Sequence, residues 1–363
     1  MLKKFAFFLP QFHEIPENDE WWGKGFTEWV NVKSAKPMYR GHKQPKEPQG
    51  DNYYCLLDKS TVEWQTKLLE DYRVDGLIYY HYYFQGKKLL EKPAENLLRW
   101  KDINQKFFFC WANHTWYRSW NGSREVLIQQ NYGDIEDWEN HFLYLLKFFK
   151  DPRYEKRDNK PLFMIYQPDF KEKNDMFKYF DRRCKECGFS GICIIESYSG
   201  KKWPDDYNKF VKTKSDVSDF VFLREPTFSL SLQWKANKKS LARVYNKLKK
   251  VLALHGFSFL VEKYSGDALF KLKINEEKKC NDKGIIRGLF FEWDNTPRHK
   301  QRGYIITPVS KEKFLTYLNQ IQDEEYVFIN AWNEWAEGMI LEPTKENGDK
   351  YLSWIKDWTK EHE

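Results

Sequence analysis

Short runs of consecutive apolar residues alternate along the whole chain with longer segments of helical periodicity. The runs predict eight strands, at residues 5–9, 76–81, 106–111, 161–166, 191–196, 218–223, 285–291 and 326–331. Most of these runs are apolar throughout, which is typical of strands buried on both faces of a parallel sheet. Helices are predicted between them, beginning at a capping box formed by Ser60 and Glu63, at Asp134 and at Ser310.

The alternation of strands and helices predicts an α/β fold, a closed (β/α)8 TIM barrel. We expect a single catalytic domain over residues 1–363, because no Pro, Gly or Ser-rich linker divides the chain. The alternative is a doubly wound open sheet, but no G-x-G-x-x-G follows the first strand. Long connections follow strand 1 (residues 10–59) and strand 6 (residues 224–283). In a barrel such loops lie at the C-terminal face, where active sites are built.

The aromatic content adds a functional hint to this fold. Aromatic residues make up 18% of the 363 residues, with 16 Trp, 22 Tyr and 28 Phe. A thick aromatic core accounts for most of them. Trp at this density exceeds the needs of a core, however, and flat apolar rings stack well on the faces of sugars. An aromatic-lined carbohydrate cleft is therefore one interpretation.

The net charge of +7 comes largely from residues 235–250 and 271–283. These stretches lack the signature of a nucleic-acid-binding fold, so no nucleic-acid partner is expected. Solvated helix faces are the favoured interpretation, and weak association with an anionic membrane surface or a pyrophosphate-linked glycan is the alternative.

Targeting signals and redox motifs are also missing from the sequence. The first apolar run is too short for a signal peptide and ends at Pro10. Cys184 and Cys187 form a lone C-x-x-C without a second pair at zinc-site spacing. We expect a cytoplasmic protein with reduced cysteines.

Polar and aromatic residues follow most of the predicted strands and should meet at one mouth of the barrel. We predict that they bind substrate together with the loop of residues 23–29. The predicted set is Gln11, Trp29, His81, Tyr83, Trp111, Asn113, Trp293, Asp294, Arg298, Asn333 and Trp335. This mixture suits a neutral, hydroxyl-rich ligand, and it contains neither a phosphate cradle nor metal-ligand spacing. We therefore expect no cofactor and no metal.

The segment after the last strand carries the strongest chemical signal. Glu334 and Glu337 stand three residues apart, flanked by Trp332 and Trp335. In a helical turn, such side chains lie roughly 5–6 Å apart at Cβ, and a carboxylate pair is what glycosidic bond cleavage requires. A helix N-terminus with ordinary acidic residues would give the same spacing. Glu196 and Glu292 also end strands and are alternative carboxylates.

Three segments resemble the WbsX-like family, whose members are labelled glycosyltransferases of bacterial surface-polysaccharide biosynthesis. They are FFLPQFHEIPENDEWWGKGFTEWVNV (residues 7–32), WDNTPR (293–298) and NAWNEWAEGMILEP (330–343). The third segment is also similar to that of the endo-α-mannosidase and endo-α-mannanase glycosidases, which are retaining (β/α)8 barrels. That resemblance implies that Glu334 is a general base acting on the sugar 2-hydroxyl and that Glu337 is the general acid. We accordingly expect Glu334 to stay ionised and Glu337 to hold a proton at neutral pH.

Three functions follow, from different classes. The leading one is a glycoside hydrolase-like enzyme, endo-acting and mannoside-directed by its resemblance, that cleaves or transfers glycosidic bonds in a bacterial surface polysaccharide. The second is a nucleotide-sugar-dependent glycosyltransferase of lipopolysaccharide or O-antigen biosynthesis, although the chain has no D-x-D metal motif. The third is a carbohydrate-binding barrel without catalysis.

Overall fold

Eight parallel strands close into a barrel in the computed structural model, which describes residues 1–118, 125–199, 214–216, 218–236, 248, 251–252, 261–279 and 283–363. The strands are β1 Lys3–Phe8, β2 Gly76–Phe84, β3 Phe107–Trp111, β4 Lys160–Ile165, β5 Cys193–Tyr198, β6 Ser218–Leu223, β7 Ile285–Phe290 and β8 Tyr326–Asn330. The barrel closes where β1 pairs with both β2 and β8. The predicted TIM barrel is confirmed, and the open-sheet alternative is wrong.

Helices separate the strands and also lie within the long connections. They are α1 Pro16–Trp22, α2 Glu28–Ser34, α3 Lys59–Asp71, α4 Lys92–Arg99, α5 Ile135–Phe149, α6 Lys173–Glu186, α7 Thr227–Ala236, α8 Gly266–Glu277, α9 Thr296–His299, α10 Lys311–Gln320 and α11 Lys350–His362. Asp134 and Ser310 cap α5 and α10 as predicted. The predicted capping box at Ser60 is wrong. Ser60 lies inside α3, which begins at Lys59, and Asp58 occupies the N-cap position.

Short strands extend the connections at the ends of the barrel. Two of them, Asn333–Glu334 and Met339–Ile340, form an antiparallel pair that frames the turn carrying Glu337. The others are Lys87–Leu89, Trp116–Arg118, Glu125–Ile128, Lys156–Arg157, Glu262–Tyr264, Trp293–Asp294 and Tyr304–Ile306.

Aromatic rings fill the inside of the barrel. Phe7 and Phe328 each lie against Phe222, with ring centroids 5.5 and 5.3 Å apart, and Phe108 contacts both Phe5 and Phe328. These rings come from alternate positions of their strands, as the two-residue period of a strand requires. Much of the aromatic excess is therefore core, and the same alternation decides which residues reach the mouth.

The two basic stretches differ from a simple solvated face. Lys273 in α8 is fully buried and forms a 2.7 Å ion pair with Glu225, so the prediction of a solvated face is wrong for this lysine. In the stretch 235–250, residues 237–247 and 249–250 lie outside the described residues, as do residues 280–282 of the second stretch. Within the part of the chain that the structure describes, no helix is both long and apolar enough to cross a bilayer.

Candidate active site

A cleft of about 640 Å³ opens at the C-terminal ends of the barrel strands. One wall carries Glu28, Arg298, Glu334 and Glu337. The rest of the lining mixes polar and apolar residues and includes a group of aromatic side chains, Trp22, Phe26, Tyr80, Tyr82, Trp116, Tyr166 and Trp293. A cleft of this size and lining is typical of a small-ligand site.

One arginine connects the acidic residues of this wall. Arg298 at the end of α9 donates from Nη1 to Glu337 Oε1 at 2.6 Å and from Nη2 to Glu334 Oε2 at 3.2 Å. Its Nε donates to Glu28 Oε1 at 2.8 Å. The guanidinium fork thus binds a different carboxylate with each of its three nitrogens. Since Glu28, Arg298 and the glutamate pair come from three separate sequence motifs, Arg298 is the point at which those motifs meet.

Glu334 is electrostatically the most unusual member of this group. It is 7% exposed, and burial raises the pKa of Glu334 well above its usual range. Repulsion from Glu337 and Glu28 acts in the same direction, while Arg298 opposes it. This differs from the expectation that Glu334 stays ionised, because the loss of hydration outweighs the single shared cation. Glu334 can therefore exchange a proton near neutral pH.

A tight turn fixes Glu337 beside it. The turn Trp335–Glu337 is followed by Gly338, whose backbone φ is 64°. This left-handed conformation favours glycine, and a Cβ there would lie 3.3 Å from the backbone nitrogen of Asp294. Glu337 Oε2 also accepts a hydrogen bond from Trp293 Nε1 at 2.9 Å. Both oxygens of Glu337 are thus held by donors from the loop after β7.

Three predicted substrate-binding residues, Trp29, Asn333 and Trp335, lie behind the acidic wall. Asn333 pairs with both backbone groups of Leu9, at 2.8 and 3.1 Å, and so fastens the exit of β8 to that of β1. Trp335 donates its indole N–H to Glu342 at 2.8 Å, and Trp29 packs against the Trp335 ring. These side chains position the turn that carries Glu337, and their polar atoms bond to neighbouring protein groups.

Glu342 anchors this support from beneath. It accepts hydrogen bonds from Tyr54 and Gln65 in addition to Trp335, at distances of 2.7–2.8 Å. Burial raises the pKa of Glu342 to about 7, although these neutral donors oppose the shift. Glu342 therefore links the long first connection and α3 to the turn that carries the glutamate pair.

His81, Tyr83 and Trp111 point away from the cleft. The physical reason is that β2 continues to Phe84, so the even-numbered Tyr80 and Tyr82 face inward and the odd-numbered residues face the helices. His81 contacts His141 at 2.9 Å, and Tyr83 donates to Asp137 at 2.7 Å. Trp111, at the end of β3, donates to the backbone of Tyr83.

Asn113 and Asp294 fasten loops rather than line the cleft. Asn113 pairs with both backbone groups of Gln167, at 2.7 and 2.8 Å. Asp294 accepts from His42 and Gln44 at 2.7 Å each and ties the first connection to the loop after β7. From the predicted substrate-binding set, Gln11, Trp293 and Arg298 line the cleft.

Tyr80 and Tyr166 are among the lining residues that the sequence reasoning missed. In the loop 23–29 it singled out Trp29, whereas Phe26 and Glu28 line the cleft. For Tyr80 a signal was available, since its parity matches the inward-facing Phe108 and Cys110 on the neighbouring strand. Glu28 lies in the first family motif, but its contact with Arg298, 270 residues away, leaves no local pattern.

The alternative carboxylates Glu196 and Glu292 are fully occupied. Glu196 accepts hydrogen bonds from Lys173, Tyr198, the Ser215 backbone and Ser218. Glu292 accepts them from Lys46, Asn347 and Tyr351. Their contacts are those of structural residues.

Comparison with known proteins identifies the family. The family described as Glycosyltransferase WbsX matches residues 4–355. The chain belongs to the WbsX glycosyltransferase family. Two relatives described as "Uncharacterized protein WxcX", from two strains of Xanthomonas campestris pv. campestris, are each 30% identical over 361 residues and 96% of the chain. The chain spans about half the length of these relatives, 48%.

Solved structures with the same fold are glycoside hydrolase-like. The GH99 endo-alpha-mannosidase from Bacteroides thetaiotaomicron has a TM-score of 0.57 at 14% identity, covering 99% of this chain and 98% of that one. A structure described as "Glycoside hydrolase-like protein" has a TM-score of 0.59 at 11% identity, covering 98% and 93%. At these identities the likeness concerns the fold.

Proposed function

We propose that the chain cleaves or transfers glycosidic bonds within a bacterial surface polysaccharide by a retaining mechanism, with Glu334 and Glu337 as its catalytic pair. The observation that carries this proposal is that both carboxylates line one cleft and contact one guanidinium, at 3.2 and 2.6 Å. Glycosidic bond cleavage uses two carboxylates at one point. Other carboxylates near the mouth, such as Glu196 and Glu292, are occupied by structural donors.

In the first step, Glu334 removes the proton of the sugar 2-hydroxyl, and that oxygen attacks the anomeric carbon. The bond from the anomeric carbon to the leaving oxygen breaks, and Glu337 donates a proton to that oxygen. The raised pKa of Glu334 suits a group that must accept this proton and keep it through the intermediate. Gln11, Trp293 and the cleft tyrosines are the candidates for holding the sugar.

In the second step, an incoming hydroxyl attacks the anomeric carbon and gives its proton to Glu337. The three-membered ring opens, and Glu334 returns its proton to the 2-oxygen. Two inversions give net retention. Water as the incoming hydroxyl gives hydrolysis, and a sugar hydroxyl gives transfer.

A nucleotide-sugar-dependent glycosyltransferase of lipopolysaccharide or O-antigen biosynthesis is the second candidate. It is favoured by the family's description as a glycosyltransferase. The two functions differ in the donor, which is an oligosaccharide in the first and a sugar nucleotide in the second.

The test supplies each donor separately. Labelled fragments of bacterial surface polysaccharides, including α-mannosides, are incubated with the chain alone, and sugar nucleotides are incubated with the same fragments as acceptors. Products are followed by mass spectrometry, and the first anomer formed by proton NMR. We expect shortened or rearranged fragments with a retained anomer. Release of a nucleoside diphosphate with elongation of the acceptor, or an inverted first product, would contradict the leading proposal.

A further inference from the structure

Arg224 is a second arginine on the cleft, and its surroundings differ from those of Arg298. It follows directly after β6 and is partly exposed. Its guanidinium carbon lies 3.8 Å from the centroid of the Tyr166 ring, and its Nη1 donates to the Tyr166 backbone oxygen at 3.1 Å. Among the described residues no carboxylate pairs with it, since the adjacent Glu225 is bound to Lys273. Within the part of the chain that the structure describes, Arg224 is thus a cation held in place by a ring and a backbone oxygen rather than by a carboxylate.

The residues next to Arg224 are aromatic and leave polar capacity unused. Tyr80 and His114 contact the Tyr166 ring with centroids 5.9 and 5.6 Å away. Nδ1 of His114 is buried and has no hydrogen-bond partner. Burial, with help from the Arg224 charge, lowers the pKa of His114 to about 4, so its ring is neutral at ordinary pH. Arg224 is therefore the charged group of this wall.

This wall and the acidic wall border the same cleft. Tyr166, Arg224 and the glutamate pair all line this one cleft. A ligand that contacts the glutamate pair with one sugar can therefore contact Arg224 with a neighbouring group.

A guanidinium held over a ring and by a backbone hydrogen bond is well prepared to bind an anion. Its position is restricted before the ligand arrives, and its fork matches the two oxygens of a carboxylate or phosphate. A lysine or a mobile arginine would lose more freedom on binding. The neutral character expected from the sequence thus holds for only part of the cleft.

We propose that Arg224, supported by Tyr166, binds an anionic group of the substrate, a carboxylate or a phosphate. The inference rests on the proposed function in taking the cleft as the glycan site. Two sources supply such a group: a uronic acid within the glycan, or the phosphates of a sugar nucleotide.

The test measures binding rather than turnover, by calorimetry on the full chain. Uronate-containing oligosaccharides from bacterial polysaccharides are compared with the same oligosaccharides after reduction of their carboxyl groups. GDP-mannose and UDP-glucose are compared with mannose and glucose. The variants are R224Q and R224K, and R302Q is the matched control, because Arg302 is exposed and does not line the cleft.

We expect wild type and R302Q to prefer one class of anionic probe by at least about tenfold, the size of one charge-assisted hydrogen bond. R224Q should lose this preference while its affinity for the neutral probe stays within twofold to threefold. R224K should keep only part of it. If R224Q loses a preference for uronate-containing oligosaccharides, the anionic group that Arg224 binds is a glycan carboxylate. If R224Q loses a preference for sugar nucleotides, that group is a phosphate.

Two results would overturn the proposal: no preference for either anionic class in wild type, or a preference that survives in R224Q. If R224Q does not fold, R224K decides instead, and a preference as large as that of wild type in R224K would overturn the proposal. The catalytic proposal is checked separately through E334Q. Normal turnover in E334Q would remove that proposal, whereas the anion preference, measured without turnover, would be unaffected.

Discussion

The carboxylates at the mouth of the barrel form two groups with opposite surroundings. Glu334 and Glu337 face the cleft and, with Glu28, share a single cation, Arg298. Glu342 and Glu292 lie behind the wall, where each accepts hydrogen bonds from several donors. Buried polar groups are normally satisfied in this second way. The comparison teaches that a carboxylate after a barrel strand is a catalytic candidate when it faces the cleft and shares one cation with other carboxylates, and a structural residue when it lies behind the wall with several donors of its own.

The largest expected effect comes from replacing one glutamate of each group by glutamine. E334Q should lower turnover by about 10²–10⁴-fold, the range of general acid–base catalysis. Its thermal stability at pH 8 should be unchanged or higher, because the buried carboxylate with a raised pKa is replaced by a neutral isostere. Turnover of labelled fragments and thermal melting are the two measurements.

E292Q is the matched control for E334Q. It should keep turnover and lose about 1–3 kcal/mol of folding free energy, because it weakens the contacts of Lys46, Asn347 and Tyr351. The division into two groups fails if E334Q destabilises the fold as E292Q does, or if E292Q alone abolishes turnover.

Removing the shared cation should disturb only the cleft group. In R298Q the carboxylates of Glu28, Glu334 and Glu337 lose their shared cation and repel one another, and breaking such a network costs up to about 3–5 kcal/mol. The folded-state pKa of Glu334 should rise further above its unfolded value, so the folded state binds more protons than the unfolded state. Stability must then fall as pH rises. Melting at pH 5, 6, 7 and 8 should show a steeper decline for R298Q than for wild type, and parallel curves would count against the arrangement.

A smaller, pH-dependent effect is expected at Glu342. The pKa of Glu342 is about 7 in the folded state, whereas an unfolded chain has a value of about 4.3. The folded state therefore loses stability as the pH rises from about 4.3 through 7. E342Q should therefore gain stability relative to wild type between pH 5 and pH 8. The substitution can be accommodated because Gln65 Oε1 is buried without a partner and can accept from the new amide after a flip. A difference in melting temperature that is constant over this range would contradict the assignment.

The smallest effect separates neighbouring tyrosines on β2. Tyr82 lines the cleft, whereas Tyr83 donates to Asp137 on the outer side. Y82F should raise KM with little change in stability, and Y83F should leave KM unchanged and cost about 0.5–1.5 kcal/mol, one ordinary hydrogen bond. Equal KM values for the two variants would mean that the inward face of β2 does not contact substrate.

The barrel was predictable from the sequence because its strands are continuous apolar runs. The predicted and observed strands agree to within two residues at most ends, and the exception is the C-terminal end of β2. There His81, Tyr82 and Tyr83 resemble a polar loop, yet the strand continues through them to Phe84. Successive side chains of a strand point to opposite faces. His81 and Tyr83 were therefore placed correctly at the end of β2 but assigned to the wrong face of the barrel wall.

The glutamate pair is local in sequence and was therefore visible, whereas its electrostatic partners were not. Glu28 and Arg298 are 270 residues apart, and their ion pair exists only because the first connection and α9 meet at the mouth. The same holds for Glu342, whose donors come from the first connection, α3 and the turn Trp335–Glu337. Burial and shared counter-charge are properties of the assembled fold, which a single sequence does not encode locally.

The most direct test of the central claim, that Glu334 is the base and Glu337 the acid at one glycosidic bond, is the leaving-group dependence of E337Q. Its turnover is measured on a fragment with a sugar leaving group and on the corresponding activated aryl glycoside, with E334Q measured in parallel. E337Q should lose most of its activity on the sugar leaving group and much less on the aryl glycoside, which needs little acid assistance. E334Q should lose both alike. If E337Q reduces both substrates equally, or if E334Q turns over at a near-normal rate, the assignment of the pair is wrong.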